Sequence, residues 1–279
     1  MPPWGTAQIG PDAARYLAAA DGVPVPRPFH LRVLLPWLLG SDVRAWWVAW
    51  VVSWPILIGS MVWWRLAAGD PWQVALAAAA LLAGLPGILG PSVVIPVGVD
   101  RPATALSLVG VAMLELGSPL QQVGGVAAIA LAAGIRETAP AYAAIWAWSL
   151  LPLVVLVVPL VLALVRSAGP DPLGPRFQQI ADHPIRTSLA AHRGRWRDGW
   201  LMVAPWGVCL AALIRPDVQV VVALAVAYGV VLVATDTVRL VQHAAGPVMA
   251  VAAAHVVPVE WLLLAVVVHA VWWRTPERI

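Results

Sequence analysis

Long apolar stretches, separated by Pro, Gly and a few charged residues, dominate the chain from residue 45 to residue 273. Runs of about 20 such residues predict transmembrane helices, and somewhat shorter runs are compatible with short spans. We therefore expect an all-α fold, a polytopic transmembrane helix bundle with about nine short spans and an N-terminal interfacial helical segment. The expected spans are residues 45–64, 73–90, 101–116, 120–136, 141–165, 199–214, 218–235, 241–256 and 259–273.

Three further segments complete the predicted organisation. Residues 1–44 are polar and rich in Pro, and they predict short helices that begin near Pro11 and His30 and lie at the membrane surface. Residues 166–198 form an Arg-rich loop within the membrane domain (45–273), and residues 274–279 form a C-terminal tail. The pair of segments between 101 and 136 contains Glu115, Gln121 and Gln122, so a re-entrant hairpin is an alternative there.

Composition supports this class of protein. Hydrophobic residues make up 61% of the 279 residues and charged residues only 11%, whereas an ordinary soluble domain has about a quarter charged. All 17 basic residues are Arg, and they lie at the ends of apolar runs without the basic clusters typical of nucleic-acid binding. We expect membrane lipids as partners and no nucleic acid. The single cysteine, Cys209, excludes an intramolecular disulfide.

The Arg-rich loop also predicts an orientation. It contains Arg166, Arg176, Arg186, Arg193, Arg195 and Arg197 but only three Asp residues. By the positive-inside rule the loop is cytoplasmic, which places the C-terminus inside and the N-terminal segment outside. The first 40 residues lack the pattern of a cleavable signal peptide. We expect a multi-pass protein of the cell membrane.

Charged residues beside apolar segments are the candidates for function, because charge is costly in a membrane. Asp100 and Arg101 begin one predicted helix, where Asp100 is alternatively an N-terminal cap. Arg136 and Glu137 separate two spans, where a local ion pair is the alternative. A third group, Asp236, Arg239 and His243, shares one helix face and is either an internal ion pair or a boundary.

His255 and His269 predict packing or hydrogen bonding rather than ligation. No metal motif is recognisable in the sequence, which leaves a divalent cation open.

The order of these features resembles the GT-C class of membrane glycosyltransferases, which use polyprenyl-phosphate-linked sugars. In that class an outward N-terminal loop carries an Asp before a Tyr-containing helix, followed by a stretch of Pro, Phe and Arg. Residues 12–17 (DAARYL) and 26–36 (PRPFHLRVLLP) resemble that arrangement. Residues 99–106 (VDRPATAL) resemble a second acidic outward loop, and residues 136–140 (RETAP) are similar to a segment of such enzymes.

The resemblance implies transfer of a sugar from a polyprenyl-phosphate donor on the outer face of the membrane. It implies that Asp12 is the base and that Asp100 is a second carboxylate that positions it or the acceptor. Binding of the donor phosphate or the substrate falls to the remaining residues that it singles out: Arg32, Arg101, Arg136, Glu137, Tyr16 and His30.

The chain departs from the class because no transmembrane helix precedes the first loop, so the resemblance implies a truncated or divergent member. Two other functions remain open. A small transporter would use Asp236, Arg239 and Glu115 as a polar path, and a non-catalytic scaffold or accessory protein would have charges that pair locally. An enzyme requires instead that Asp12, Asp100 and the Arg residues converge.

Overall fold

The computed structural model describes residues 11–88, 98–171, 183–197, 203–232 and 237–272, and every regular element within these ranges is helical. The α-helices are α1 (Pro11–Ala20), α2 (Leu34–Leu39), α3 (Val43–Ala67), α4 (Trp72–Gly84), α5 (Asp100–Leu116), α6 (Pro119–Ile135), α7 (Ala139–Trp146), α8 (Val157–Val165), α9 (Pro184–Arg197), α10 (Val218–Val231), α11 (Thr237–Val256) and α12 (Leu262–Trp272). Segments of 3-10 helix lie at Phe29–Leu31, Leu151–Leu156, Ala204–Ile214 and Val259–Trp261.

The prediction of about nine spans is wrong. Among the described residues, only α3, with 25 residues, is both long and apolar enough to cross a membrane. A second candidate exists if Arg239–Val256 and Val259–Ala270, which meet at a bend of 115°, are counted as one broken span. The apolar runs are helical at the predicted places, but α5 and α6 have 17 residues each and reach only about 26 Å, which is short of the ~30 Å hydrocarbon layer.

Pro and Gly explain why the predicted spans are short. The run at 141–165 is divided into α7, a 3-10 segment and α8, and the chain turns at Trp148, which has a positive φ of 49°. The run at 199–214 forms a 3-10 segment with non-helical backbone at Gly207. Between α5 and α6, Gly117 has a φ of 77° and Ser118 caps α6 by accepting a hydrogen bond from the Gln121 amide.

Much of the apolar sequence is used to pack helices against each other. Helix α4 buries Ala75, Ala77 and Ala78 in the main core, which also receives residues from α3, α5, α10 and α11. The backbones of α5 and α6 approach closely at Gly110 and Gly125, where a Cβ on either residue would lie 2.7 Å from the carbonyl oxygen of the other. Hydropathy alone does not separate such core-facing helices from lipid-facing ones.

Other apolar side chains point outward. Leu120 is 83% exposed, Leu164 is 86% exposed and Trp37 is 78% exposed. The outer face of α3 also carries exposed Val51 and Val52. Exposed apolar area of this extent is typical of a protein that contacts lipid or another chain.

A second, smaller core joins the N-terminal segment to the bundle. Tyr16 of α1 packs against Phe29 and Trp46, with ring centroids 5.2 and 5.9 Å apart. Val99 and Ile135, at the start of α5 and the end of α6, belong to the same core. The predicted interfacial helices near Pro11 and His30 correspond to α1 and to the segment from Phe29 to Leu39, and they form the platform of the site below.

The Arg-rich loop contacts this N-terminal segment. Arg15 binds Asp171, and the amide of Gly169 donates a hydrogen bond to the carbonyl of Val25. The start of the predicted loop thus lies against the N-terminal segment, and the predicted orientation of the two relative to a membrane stays a prediction. Outside the described residues lie Arg176 and Asp236, with residues 1–10, 89–97 and 274–279.

Candidate functional site

The two carboxylates predicted as catalytic lie against one guanidinium group. Nη2 of Arg239 is 3.1 Å from Oδ2 of Asp12, and Nε of Arg239 is 3.2 Å from Oδ2 of Asp100. Asp12 comes from the first turn of α1, Asp100 begins α5 and Arg239 lies near the start of α11. Three segments far apart in sequence thus meet at one point.

Asp100 is the more enclosed of the two carboxylates. Its side chain is 10% exposed, against 31% for Asp12, and it contacts the guanidinium of Arg136 as well as that of Arg239. The alternative interpretation of Asp100 as a helix cap is wrong, because Val99 occupies the cap position and α5 has no side-chain cap. Asp12 therefore offers the accessible carboxylate, and Asp100 a fixed one.

Glu137, which follows Arg136 in the sequence, forms a second ion pair, with Arg32. Arg32 donates through Nε and Nη2 to both carboxylate oxygens of Glu137, at 2.8 Å each, and through Nη1 to the Tyr16 hydroxyl at 2.8 Å. This bidentate geometry is the strong form of the Arg–carboxylate pair. The local Arg136–Glu137 pair that the sequence offered as an alternative is thus replaced by two longer-range pairs, since Arg136 turns to Asp100.

The electrostatic effect on Glu137 is large. Burial alone would raise the pKa of this carboxyl, but the charge and hydrogen bonds of Arg32, with the charge of Arg136, lower it from 4.5 to about 2. Burial raises the pKa of the Tyr16 phenol, and the charge of Arg32 opposes that rise. Around neutral pH the group is a carboxylate, a guanidinium and a neutral phenol held together.

Arg15 ties the site to the Arg-rich loop. Its Nε and Nη2 donate to the two oxygens of Asp171 at 3.1 and 2.7 Å, and its Nη1 reaches Asp12 at 3.3 Å. The guanidinium groups of Arg15 and Arg32 each lie 5.1 Å from the ring centroid of Phe29. The aromatic ring of Phe29 thus supports two of the arginines that bind carboxylates.

His30 is buried beside this group without joining it. In the described part of the chain its Nδ1 atom has no hydrogen-bond partner. Burial, followed by the charges of Arg27 and Arg166, lowers the pKa of its imidazole. His30 is therefore a neutral side chain near neutral pH, and its predicted role of lining a pocket stays a prediction.

Arg101 points away from the two carboxylates. Its Nη2 donates to the carbonyl oxygen of Ile88 at 2.7 Å, and its Cζ atom lies 4.8 and 4.3 Å from the ring centroids of Trp50 and Trp54 on α3. The side chain is almost completely buried. Arg101 thus belongs to a separate location between α3 and α5.

Helix α11 turns a polar face toward the start of α5. The spacing of Arg239 and His243 predicts that they share this face but not what it contacts. His243 lies one turn after Arg239, and its Nδ1 is 2.7 Å from the hydroxyl of Thr104. Asp236, the third member of the predicted group, lies outside the described residues. The two residues that are described both face α5, which agrees with an internal polar contact.

The remaining polar candidates are distant from this site. Glu115 lies exposed at the far end of α5, so it does not extend a path from Arg239.

A cavity of about 390 Å³ lies near the C-terminal end of α3 and is lined by Arg65, Arg215 and His255 among others. His255 and Arg65 both contact Asp70, at 3.2 and 2.6 Å. His269 bonds the Leu81 carbonyl at 3.0 Å, consistent with packing and hydrogen bonding.

Within the described residues, no group of three or more His, Cys, Asp or Glu side chains could hold a metal ion. Comparison with known proteins gives no relative: no family model matches the chain, and no curated protein or solved structure matches it. The function must therefore be argued from the residues themselves.

Sequence reasoning separates Arg239 from the two carboxylates and does not single out Asp171. It groups Arg239 with Asp236 and His243, as an internal ion pair, a boundary or part of a transport path, whereas in the structure Arg239 joins Asp12 to Asp100. Asp171 was counted only among the acidic residues of the loop, although it binds Arg15. A charge inside an apolar helix was the available signal for Arg239, but its partners lie 139 and 227 residues away in the sequence.

Proposed function

We propose that this protein is a membrane-associated glycosyltransferase that transfers a sugar from a polyprenyl-phosphate donor to a hydroxyl acceptor. One observation carries the proposal: Asp12 and Asp100, singled out by resemblance to such enzymes, bind the same guanidinium of Arg239. An enzyme of this kind needs a base, a second carboxylate and cations in one place, and the convergence of Asp12, Asp100 and Arg239 supports the proposal.

The reaction assigns a role to each group. Asp12, the more exposed carboxylate, takes the proton of the acceptor hydroxyl while that oxygen forms a bond to the anomeric carbon of the donor sugar. The bond between that carbon and the phosphate oxygen breaks, and its electron pair leaves with the polyprenyl phosphate. Arg239 and Arg136 stabilise the charge that develops on the phosphate. Asp100 fixes both guanidinium groups in position.

Two features of the surface support a location at the membrane. Helix α3 is apolar, has 25 residues and begins next to the site, since Trp46 in its first turn packs on Tyr16. Several large apolar side chains, such as Leu120 and Leu164, are exposed. A lipid-linked donor would approach along such a surface with its chain in the bilayer and its phosphate toward the arginines.

The test is a transfer assay on the full-length protein in lipid nanodiscs. Polyprenyl-phosphate hexoses and pentoses are offered with water, sugars and lipid hydroxyls as acceptors, and released polyprenyl phosphate is measured. We expect turnover of at least one donor and a loss of about 100-fold or more in Asp12→Asn. Asp21→Asn is the matched control, because Asp21 is exposed and lies just after α1.

Two results would overturn the proposal. The first is the absence of turnover and of saturable binding for every donor in the panel. The second is a donor turnover that Asp12→Asn leaves unchanged.

A non-catalytic scaffold is the second candidate function, and one observation favours it. Each carboxylate of the site already binds an Arg: Asp12, Asp100, Glu137 and Asp171 are all paired. Charges that stabilise a fold show this local pairing, whereas a site that binds substrate usually keeps a group available. Under this function, Asp12→Asn lowers stability and no donor binds.

A further inference from the structure

Three buried nitrogen donors meet between α3 and α5. Among the described residues, Nε and Nη1 of Arg101 and Nε1 of Trp50 have no hydrogen-bond acceptor. The guanidinium carbon of Arg101 lies 4.8 Å from the ring centroid of Trp50, so these donors belong to one location. Arg101 is only 3% exposed, and no salt bridge to it is found in the described part of the chain.

Such a group is costly unless an anion binds it. A guanidinium keeps its charge under all ordinary conditions, and burying it without a carboxylate sacrifices hydration. The faces of Trp50 and Trp54 and one bond to the Ile88 carbonyl compensate for only part of that loss. A phosphate oxygen would accept from the free donors of Arg101, and its geometry matches the guanidinium fork.

The surroundings indicate which kind of phosphate fits. Trp50 and Trp54 are half-buried side chains one turn apart on α3, the helix long and apolar enough to span a membrane, and Val51 and Val52 beside them are exposed. Trp50 lies seven residues after Val43, or about 10 Å along the helix from its polar start. An apolar chain can therefore lie against the exposed face of α3 at the level of Trp50 and Trp54, whose rings lie over the Arg101 guanidinium.

We propose that Arg101, Trp50 and Trp54 form a binding site for the phosphate of an anionic membrane lipid. The site is separate from the Asp12–Arg239–Asp100 cluster, because Arg101 contacts α3 whereas Asp100 contacts Arg136 and Arg239. It does not depend on the proposed transfer reaction. A structural or regulatory lipid would occupy it equally well in a scaffold.

The experiment measures lipid binding by the purified full-length protein in a maltoside detergent, using native mass spectrometry and the shift in unfolding temperature. Three probes distinguish recognition of a lipid phosphate from recognition of free phosphate or of the acyl chains alone. Dioleoyl phosphatidylglycerol has chains and phosphate, dioleoylglycerol has the same chains without phosphate, and glycerol 3-phosphate has phosphate without chains. We expect saturable binding and stabilisation only with phosphatidylglycerol.

Variants locate the site. Arg101→Gln is expected to weaken phosphatidylglycerol binding by about tenfold or more, since it removes a charge-assisted bond. Trp50→Phe keeps an aromatic ring at this position and removes the Nε1 donor. It is expected to fold normally and to weaken phosphatidylglycerol binding several-fold. Trp47→Phe, at an exposed position of α3, and Arg44→Gln, at an exposed Arg near its start, are the controls and are expected to bind as the unmodified protein does.

Each outcome decides the proposal. If glycerol 3-phosphate stabilised the protein as much as phosphatidylglycerol does, the site would be one for free phosphate rather than for a lipid. Equal binding of dioleoylglycerol would show that the chains alone are recognised, and unchanged phosphatidylglycerol binding in both Arg101→Gln and Trp50→Phe would place any lipid elsewhere. Any of these three results overturns the lipid-phosphate site.

Discussion

The ion pair between Arg32 and Glu137 makes the stability of this fold depend measurably on pH in the acidic range. The pKa of Glu137 is lowered from 4.5 to about 2 in the folded protein, because Arg32 binds the carboxylate through two hydrogen bonds and outweighs the opposing effect of burial. A folded-state pKa below the unfolded one favours folding when the group is ionised. The contribution is therefore complete above pH 4.5 and is lost as the pH falls toward 2.

The size of this contribution to the free energy of unfolding follows from the pKa shift of Glu137. A difference of about 2.5 pKa units corresponds to roughly 3 kcal/mol at 1.36 kcal/mol per unit. The side chains of Arg32 and Glu137 are 11% and 18% exposed, so solvent screening reduces this figure only modestly. Glu137→Gln removes the titrating group while it preserves shape, and we expect it to be less stable than the unmodified protein at neutral pH.

The assay is detergent-solubilised unfolding, followed by Trp fluorescence, at a series of pH values from 2 to 7. The difference in free energy of unfolding between the unmodified protein and Glu137→Gln is expected to shrink by about 3 kcal/mol as the pH falls from 4.5 to 2. Glu115→Gln, at an exposed residue of α5, is the control and is expected to give no such change. A difference that stays constant over this range would refute the reasoning.

Three further substitutions test a close helix contact, a buried hydrogen-bonded amide and a long-range ion pair. Gly125→Ala places a Cβ 2.7 Å from the Gly110 carbonyl and is expected to cost about 1–3 kcal/mol of unfolding free energy, whereas a cost near zero would contradict the close approach of α5 and α6. Gln242 accepts from the Gly87 amide and donates to the Pro205 carbonyl, so Gln242→Leu is expected to cost about 3 kcal/mol, and the exposed Gln122→Leu much less. Asp171→Asn weakens the bond to Arg15 and is expected to lower the free energy of unfolding by about 1 kcal/mol; an unchanged free energy of unfolding would mean that this contact does not stabilise the fold.

The helices themselves were largely predictable from the apolar runs, but their role was not. The run at 120–136 is helical as α6, yet its inner face, including Ile129 and Ala133, packs in the core. Hydropathy reports the total apolar content of a helix, and this chain uses much of it for contacts between helices. Helix length, which Pro and Gly limit, decides how many segments can span. Hydropathy alone therefore predicts nine spans, whereas the described part of the chain contains one or two helices of sufficient length.

The candidate site was predictable in its members more than in its connections. Asp12 and Asp100 were selected by resemblance, and their proximity follows only from the tertiary contacts of α1, α5 and α11. Arg136 and Glu137 are neighbours in sequence but bind different partners, because consecutive residues at the end of α6 point in different directions. Long-range pairing of this kind has no local signal.

The shared guanidinium of Arg239 is the centre of this account, and a double-mutant cycle tests it most directly. Unfolding free energies are measured for Asp12→Asn, Asp100→Asn and the combination, with Asp21→Asn plus Asp100→Asn as the control pair. Because Asp12 and Asp100 bind the same group, we predict a coupling energy of about 1 kcal/mol or more between them and none in the control. Additivity of Asp12→Asn and Asp100→Asn to within about 0.5 kcal/mol would contradict the shared site.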